Sequence, residues 1–354
     1  MGAKSKIQWC DATWNPVLGC SPVSAGCANC YAARWAWRLY QMGLQRYDIL
    51  ANPDGTWTGS VHFVEGELNR PLTWRKPKRI FVCSMSDLFH SRVQPFLWDE
   101  VFSRMVLTPR HTYFILTKRP ERMRDVLAAP GMAERVLRKA TSFPLPFHPT
   151  GKPAWPQWPP KNVFVGTSIE DQPTADARLP FVMELAALGW RTMVSAEPLL
   201  GPVMMRWRDK PAGERYVWGY DYLTGVEFGP HHCNRGKPRL DWVICGGESG
   251  PNARPMHPDW ARSLRDQCAA ADVPFFFKQW GEWMPCSAMD DEEEAPGGAP
   301  WGYIGDDGIF DPGEDGVFSC RNGIKDEQTF RVGKHRAGRL LDGVEHNAFP
   351  EVPA

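Results

Sequence analysis

The chain has 354 residues, 41 of them basic and 41 acidic, and 43% of it is hydrophobic. Such a length admits two average domains or one α/β barrel of about 250 residues with additions, and the apolar share suffices for a large core. Zero formal net charge excludes a broad electrostatic grip on nucleic acid, though not a local basic groove.

No apolar run approaches the roughly eighteen residues of a membrane span. Met1 to Lys6 leads into Ile7-Gln8-Trp9 without an apolar stretch, so no signal peptide is expected and the expected location is cytoplasmic. Ten cysteines in such a chain point to metal ligands or buried thiols rather than a disulfide framework.

Taken in chain order, short apolar runs recur at Ile80–Cys83, Tyr113–Leu116, Val163–Val165, Arg191–Val194, Trp242–Cys245 and Val273–Phe277. Near-continuous apolar character over four or five residues suits strands buried on both faces of a parallel sheet. With a short first strand before residue 20, the run at Ile80 is the second. Helical patterns fall between the runs, at Pro95 to Leu107, Arg119 to Leu137, Asp176 to Leu188 and Pro258 to Ala271. Repeated strand–helix units predict a parallel α/β barrel or an open doubly wound sheet.

Three stretches break this rhythm. Residues 142–160 are rich in Pro and Trp, residues 207–238 lack periodicity, and residues 285–328 are acidic and Gly-rich, with the run Asp290 to Glu294. They read as loop insertions and an extension. The expected organisation is a barrel over 1–284, with insertions at 142–160 and 207–238. An irregular extension over 285–354 follows, ending in the basic residues Lys334, His335, Arg336 and Arg339.

Polar clusters follow each run: Ser84-Met85-Ser86-Asp87, Thr117-Lys118-Arg119, Ser168-Ile169-Glu170-Asp171, Ser195-Ala196-Glu197-Pro198, Gly246-Gly247-Glu248-Ser249, and Lys278-Gln279-Trp280. Ligands bind at the carboxyl ends of strands in parallel α/β folds. One such cluster is accounted for by a helix cap, as Ser86, Asp87 or Asp171 would be. Six on one edge predict an active-site face.

Cys20, Cys27 and Cys30 stand at Cys-x6-Cys-x2-Cys spacing on a Gly/Pro/Ser loop that runs into a helix. Thiolates favour iron–sulfur clusters and zinc. A structural zinc site wants four protein ligands, and no later Cys-x2-Cys completes one here. Three cysteines on a [4Fe–4S] cluster leave one iron open, where the amino and carboxylate groups of S-adenosylmethionine can bind. The alternatives are a zinc loop completed by Cys10, Cys83 or His90, or plain buried thiols. The lone Cys233, Cys245, Cys268, Cys286 and Cys320 read as buried or incidental.

Ile7 to Pro16, Gly19 to Ala32, Cys83 to His90, Leu116 to Pro120, Ser195 to Leu200, Gly246 to Gly250 and Phe277 to Glu282 together resemble a bacteriophage and prophage family of radical-SAM-like proteins. The resemblance implies a partial TIM-type barrel of the radical SAM kind, a [4Fe–4S] cluster on the cysteine triple, S-adenosylmethionine as cofactor and an external electron donor. It also implies a modified nucleotide in DNA as substrate. Some members look like enzymes that isomerise a glycinylthymidine, moving the thymidine methylene from the glycine nitrogen to its α-carbon. The host cytoplasm is then the expected location. The chain departs from the best-known Cys-x3-Cys-x2-Cys pattern, and Asn29 replaces the aromatic residue before the third cysteine. Its Gly-Gly-Glu follows the sixth strand rather than the second, so Ser84, Ser86 and Asp87 become the positional candidates for holding the cofactor's amino group.

Lys118 and Arg119 fit either neutralisation of a carboxylate or phosphate, or a helix-start ion pair. Glu170, Glu197 and Glu248 fit ribose binding, amine orientation or proton exchange. Lys278 fits a base, a phosphate contact or a lysine snorkelling from a strand end. Catalytic roles are expected for Lys118, Glu197 and Lys278, and cofactor binding for Ser84, Ser86, Asp87, Glu170 and Glu248. Arg75 to Arg79 and Lys334 to Arg339 suit a DNA backbone or a solvated face. Two other classes stay open: a repair enzyme of the photoproduct-lyase type acting on a flipped base, and a non-enzymatic nucleic-acid-binding protein stabilised by zinc or a cluster.

Overall fold

Seven parallel strands form the central sheet, in sequence order from edge to edge. They are β1 (Ala12–Trp14), β2 (Arg79–Val82), β3 (Thr112–Thr117), β4 (Val163–Ile169), β5 (Arg191–Ala196), β6 (Trp242–Gly246) and β7 (Phe275–Gln279). The structure, a computed structural model, describes residues 5–143, 157–209, 218–229, 232–289, 299–313 and 326–351. The acidic run from Asp290 to Glu294 and most of the Pro/Trp-rich stretch lie outside the described residues.

Strand side chains alternate between two cores. Ile80, Val82, Tyr113, Ile115, Val163, Val165, Val243 and Cys245 join the layer under the helices. Phe114, Phe164, Met193, Trp242, Ile244 and Phe276 fill the opposite, inner face. This two-residue period explains the unbroken apolar runs, because both faces are buried. Trp9 lies against Phe81 of β2, Phe114 of β3 and Trp242 of β6, with ring centroids 4.7, 5.8 and 6.0 Å away. One ring can meet strands this far apart in the sheet only if the sheet curls around it. The result is a partial barrel.

α1 (Tyr31–Gln41) packs in a separate apolar cluster with Leu18, Tyr47, Leu50, Trp57 and Met85, and five helices cover the outer side of the sheet: α2 (Pro95–Leu107), α3 (Pro120–Leu127), α4 (Met132–Thr141), α5 (Gln172–Ala187) and α6 (Pro258–Ala270). The helix expected from Arg119 to Leu137 is two helices. Pro130 and Gly131 break it, and Gly131 takes a left-handed conformation with φ of 77°. Asp171 caps α5 in a reciprocal box: its carboxylate accepts from Thr174 N, and Thr174 Oγ1 accepts from Asp171 N. Asp171→Ala should cost about 1 kcal/mol in urea unfolding. A wild-type midpoint would contradict that.

Arg206–Asp209, Trp218–Asp221, Val226–Gly229 and His232–Asn234, in or beside the aperiodic stretch 207–238, form a four-stranded antiparallel sheet of short strands. Strands of three or four residues are too short to print an alternation. A second antiparallel sheet joins Trp283–Pro285, Glu327–Arg331, Trp301–Ile304 and Phe310–Pro312. The chain then returns along β7, where Phe277 N donates to His346 O and Ala348 N to Phe275 O. That return covers an edge that would otherwise be open. Phe349 packs on Trp242 and Phe276, and the Arg79 guanidinium lies over its ring. Among the described residues no helix is long and apolar enough to cross a membrane.

Candidate active site

The polar strand ends gather around one cavity of about 410 Å³ at the carboxyl edge of the sheet. Cys20, Cys27 and Cys30 border it, as do Ser84, Ser86, Asp87, Lys118, Glu197, Glu248 and Lys278. Glu170 stands just behind, bonded to Lys118. The three cysteines are free thiols on the loop between the strand pair Val17–Leu18/His62–Phe63 and α1, and Cys30 is the N-cap of α1. Gly19 fixes how the chain enters this loop. Its φ is +89°, and a Cβ there would fall 2.1 Å from Ser60 O. Only glycine fits.

Three strand-end carboxylates, each with its own cation, hold the loop from three sides. Asp87 Oδ2 pairs with Arg119 at 2.7 Å, while Arg119 also donates to Ser21 O and Ser21 Oγ and lies 3.6 Å from Cys20 Sγ. Asp87 Oδ1 accepts from Thr117 Oγ1 and Phe89 N. Glu170, fully buried, accepts from Ser24 Oγ at 2.9 Å, Lys118 Nζ at 2.5 Å and Arg178 at 3.2 Å. Glu248 accepts from Asn29 Nδ2 and from Arg254 N and Nε, all at 2.9 Å, and Arg254 reaches Ala25 O at 3.0 Å. Ser84 Oγ donates to Asn15 Oδ1 and Ser86 Oγ to Val17 O. All five residues expected to bind a cofactor therefore bond within the protein, and three of them grip the cysteine loop.

Glu197 is different. Its Oε1 pairs with Lys278 Nζ at 2.7 Å and its Oε2 accepts from Ser195 Oγ at 2.8 Å, with no bond to the loop. Both Glu197 and Lys278 border the cavity, joined there by Lys334 from the C-terminal segment.

Burial, with Asp87's charge adding to it, pushes the Cys20 thiol up to about 12 against the opposing pull of Arg119. A metal-free loop thus keeps this proton, and loading a metal must release it. Among the described residues no three His, Cys, Asp or Glu side chains converge as a single ion requires. Of the side chains expected to complete a zinc loop, Cys10 bonds Ser5, His90 bonds Ser21, and Cys83 bonds Ser86 and Val17. In a cubane each thiolate takes a different iron, so its cysteines need not converge on a point.

A family model described as "Protein of unknown function (DUF5131)" matches residues 4–350. The chain belongs to the DUF5131 family. No curated protein matches it. Among solved structures, a mutant of spore photoproduct lyase is similar at 11% identity and a TM-score of 0.39, covering 94% of this chain and 72% of that one. At that score the likeness carries no argument about fold or chemistry.

Two neighbours of these groups in this DUF5131 protein are not placed at the cavity by sequence reasoning. Arg178 reaches Glu170 from the second turn of α5, where nothing distinguishes it from a surface helix arginine. Lys334 sits in a basic run that reads equally as a solvated face. For Glu248, burial raises the carboxyl pKa, but hydrogen bonds from Arg254 and Asn29 outweigh it and hold the group below its ordinary 4.5. A carboxylate depressed on folding adds stability above its ordinary value and loses it as pH falls through the folded value. Arg254→Met should therefore be less stable than wild type at neutral pH, with the gap narrowing as pH falls below the ordinary 4.5. A gap independent of pH in urea unfolding would refute the assignment.

Proposed function

We propose that this chain is a radical S-adenosylmethionine enzyme, with Cys20, Cys27 and Cys30 as the protein ligands of a [4Fe–4S] cluster. One observation carries it: three free cysteines of a single loop border the cavity that also collects the polar ends of a parallel half-barrel. The donor set fits, because three thiols of one loop, with no fourth Cys, His, Asp or Glu converging on them among the described residues, suit a cluster with an open iron. When bound, the cluster supplies the electron that cleaves the sulfonium bond of S-adenosylmethionine.

The chain's own residues hold and shield this site. Arg119, Ser24 and Asn29 pin the loop to Asp87, Glu170 and Glu248, so the thiols are placed before any metal arrives. Trp9, Phe81 and Tyr31 line the cavity, and the Tyr31 hydroxyl donates to Ser84 O. Aromatic lining of this kind limits the access of water to a bound ligand. Glu197 and Lys278, paired with each other and not with the cysteine loop, are the groups assigned to touch a substrate and exchange a proton with it.

The finer reading is intramolecular rearrangement of a modified thymidine in DNA, with an external electron donor, and it rests on the motif resemblance alone. Anaerobic reconstitution with iron and sulfide tests the class. The expected result is a brown protein that converts S-adenosylmethionine to 5′-deoxyadenosine, while stoichiometric zinc without iron would overturn it. Adduct-bearing against irradiated DNA then separates rearrangement from lesion repair.

A further inference from the structure

The C-terminal segment delivers to the cavity a lysine that no barrel strand supplies. Val332 N and Gly333 N donate to Glu282 O, Trp280 N donates to Gly338 O, and Trp280 Nε1 donates to Leu340 O. These bonds fix the segment over the end of β7. Lys334, first residue of the short helix Lys334–Ala337, thereby borders the cavity with Lys278, whereas His335 and Arg336, exposed like it, lie outside the lining.

Charge is unevenly shared there. Asp87, Glu170 and Glu248 each have a cation of their own. Glu197 is the carboxylate near both lysines, and it is already engaged by Lys278 and Ser195. Glu282 lies outside the cavity lining, with its Oε1 on Gly250 N. Among the described residues the Lys334 ammonium has no hydrogen bond or ion pair. Lys334 stays solvent-accessible at the rim, yet enclosure by surrounding atoms, followed by the charge of Lys278, lowers its pKa.

A second observation points the same way. Gln279, 4% exposed and next to Lys278 on β7, borders the same cavity. Its Nε2 donates to Ser249 Oγ, which leaves Oε1 without a partner. A buried amide oxygen left unpaired is costly, and a donor group on a ligand would satisfy it.

We propose that Lys278 and Lys334 form an oxyanion subsite on the β5–β7 side of the cavity, so that the substrate carries a carboxylate or phosphate there and a hydrogen-bond donor beside it for Gln279. Two ammonium groups accept either oxyanion without the planar fork that arginine imposes. Partial enclosure strengthens the attraction over its value in bulk water. Calling the ligand a substrate rests on the enzyme reading above, but the subsite itself does not need the cluster.

The test is lysine acetylation by acetic anhydride, quantified residue by residue on the full-length chain with and without reconstituted cluster. The probe is inorganic phosphate. At phosphate ten times its dissociation constant, Lys334 and Lys278 should react about tenfold more slowly, because a bound anion holds the unreactive ammonium form. The exposed Lys76 and Lys161 should be unaffected. In Lys334→Met, phosphate should bind about tenfold more weakly, the loss of one charge-assisted hydrogen bond. Uniform protection, no protection, or unchanged affinity in Lys334→Met would each overturn the subsite. Acetate and S-adenosylmethionine form the other arms. If S-adenosylmethionine alone protects Lys334, the pair serves the cofactor's own carboxylate and the substrate assignment falls. Failure of the radical reading shows separately, as a chain that takes up no iron while its phosphate response persists.

Discussion

Cys27→Ala should abolish the iron–sulfur absorbance of the reconstituted protein, and with it any cleavage of S-adenosylmethionine, while leaving the fold intact. This is the cleanest of the three cysteine substitutions for a structural reason. Cys20 lies against Arg119, so its loss also disturbs the clamp on Asp87. Cys30 is the N-cap of α1. Among the described residues the hydrogen-bond neighbour of the Cys27 thiol is Ser24 Oγ, at 3.9 Å, a long and weak contact even for sulfur. Removing that thiol costs a small side chain on a half-buried turn, so urea unfolding of the apoprotein should move by less than about 1 kcal/mol. Iron should fall from about four per chain to background, because two thiolates cannot hold the cubane. Cys286→Ala, at an exposed position away from the cavity, is the control and should retain its iron. Full cofactor cleavage by Cys27→Ala would refute the ligand assignment.

The sheet was legible in the sequence because its chemistry is local. A strand buried on both faces prints itself as an apolar run, and the polar cluster after each run marks the edge where ligands bind. Ile80, Tyr113, Val163, Arg191, Trp242 and the run ending at Phe277 all fall in strands for that reason. Helix ends were less legible where two signals compete: the apolar spacing runs through Pro130-Gly131, but the backbone stops there. The roles of the strand-end acids were legible only as a set. That Glu248 should grip the cysteine loop depends on Arg254 reaching Ala25 and on Asn29, more than two hundred residues away in sequence. No periodicity encodes such a pairing. The same is true of Lys334, whose position is set by backbone bonds to Glu282 rather than by its basic neighbours.

Glu170 is where loop placement and stability meet, and its removal should be the most damaging single change among the clamps. The side chain is completely buried, and its two cations, Lys118 and Arg178, are themselves only 17% and 10% exposed. Bulk solvent therefore screens these pairs little. Glu170→Ala strands both cations without a counterion, and breaking a buried ion pair from one side costs about 3–5 kcal/mol. Glu170→Gln keeps the shape and an acceptor for Ser24, so it should recover part of the hydrogen bonding but not the charge balance. The same substitution to alanine frees Ser24, three residues before Cys27, and opens space beside Gly26, where a Cβ would now meet Glu170 and Lys118 at 2.6 Å. Iodoacetamide should then alkylate Cys27 faster in folded Glu170→Ala than in wild type, with Glu170→Gln between them. A change in stability alone would mean that Glu170 supports the barrel wall and not the loop. A loss under about 1 kcal/mol with unchanged alkylation would mean that neither cation depends on it, and that Lys118 is free to face a ligand after all.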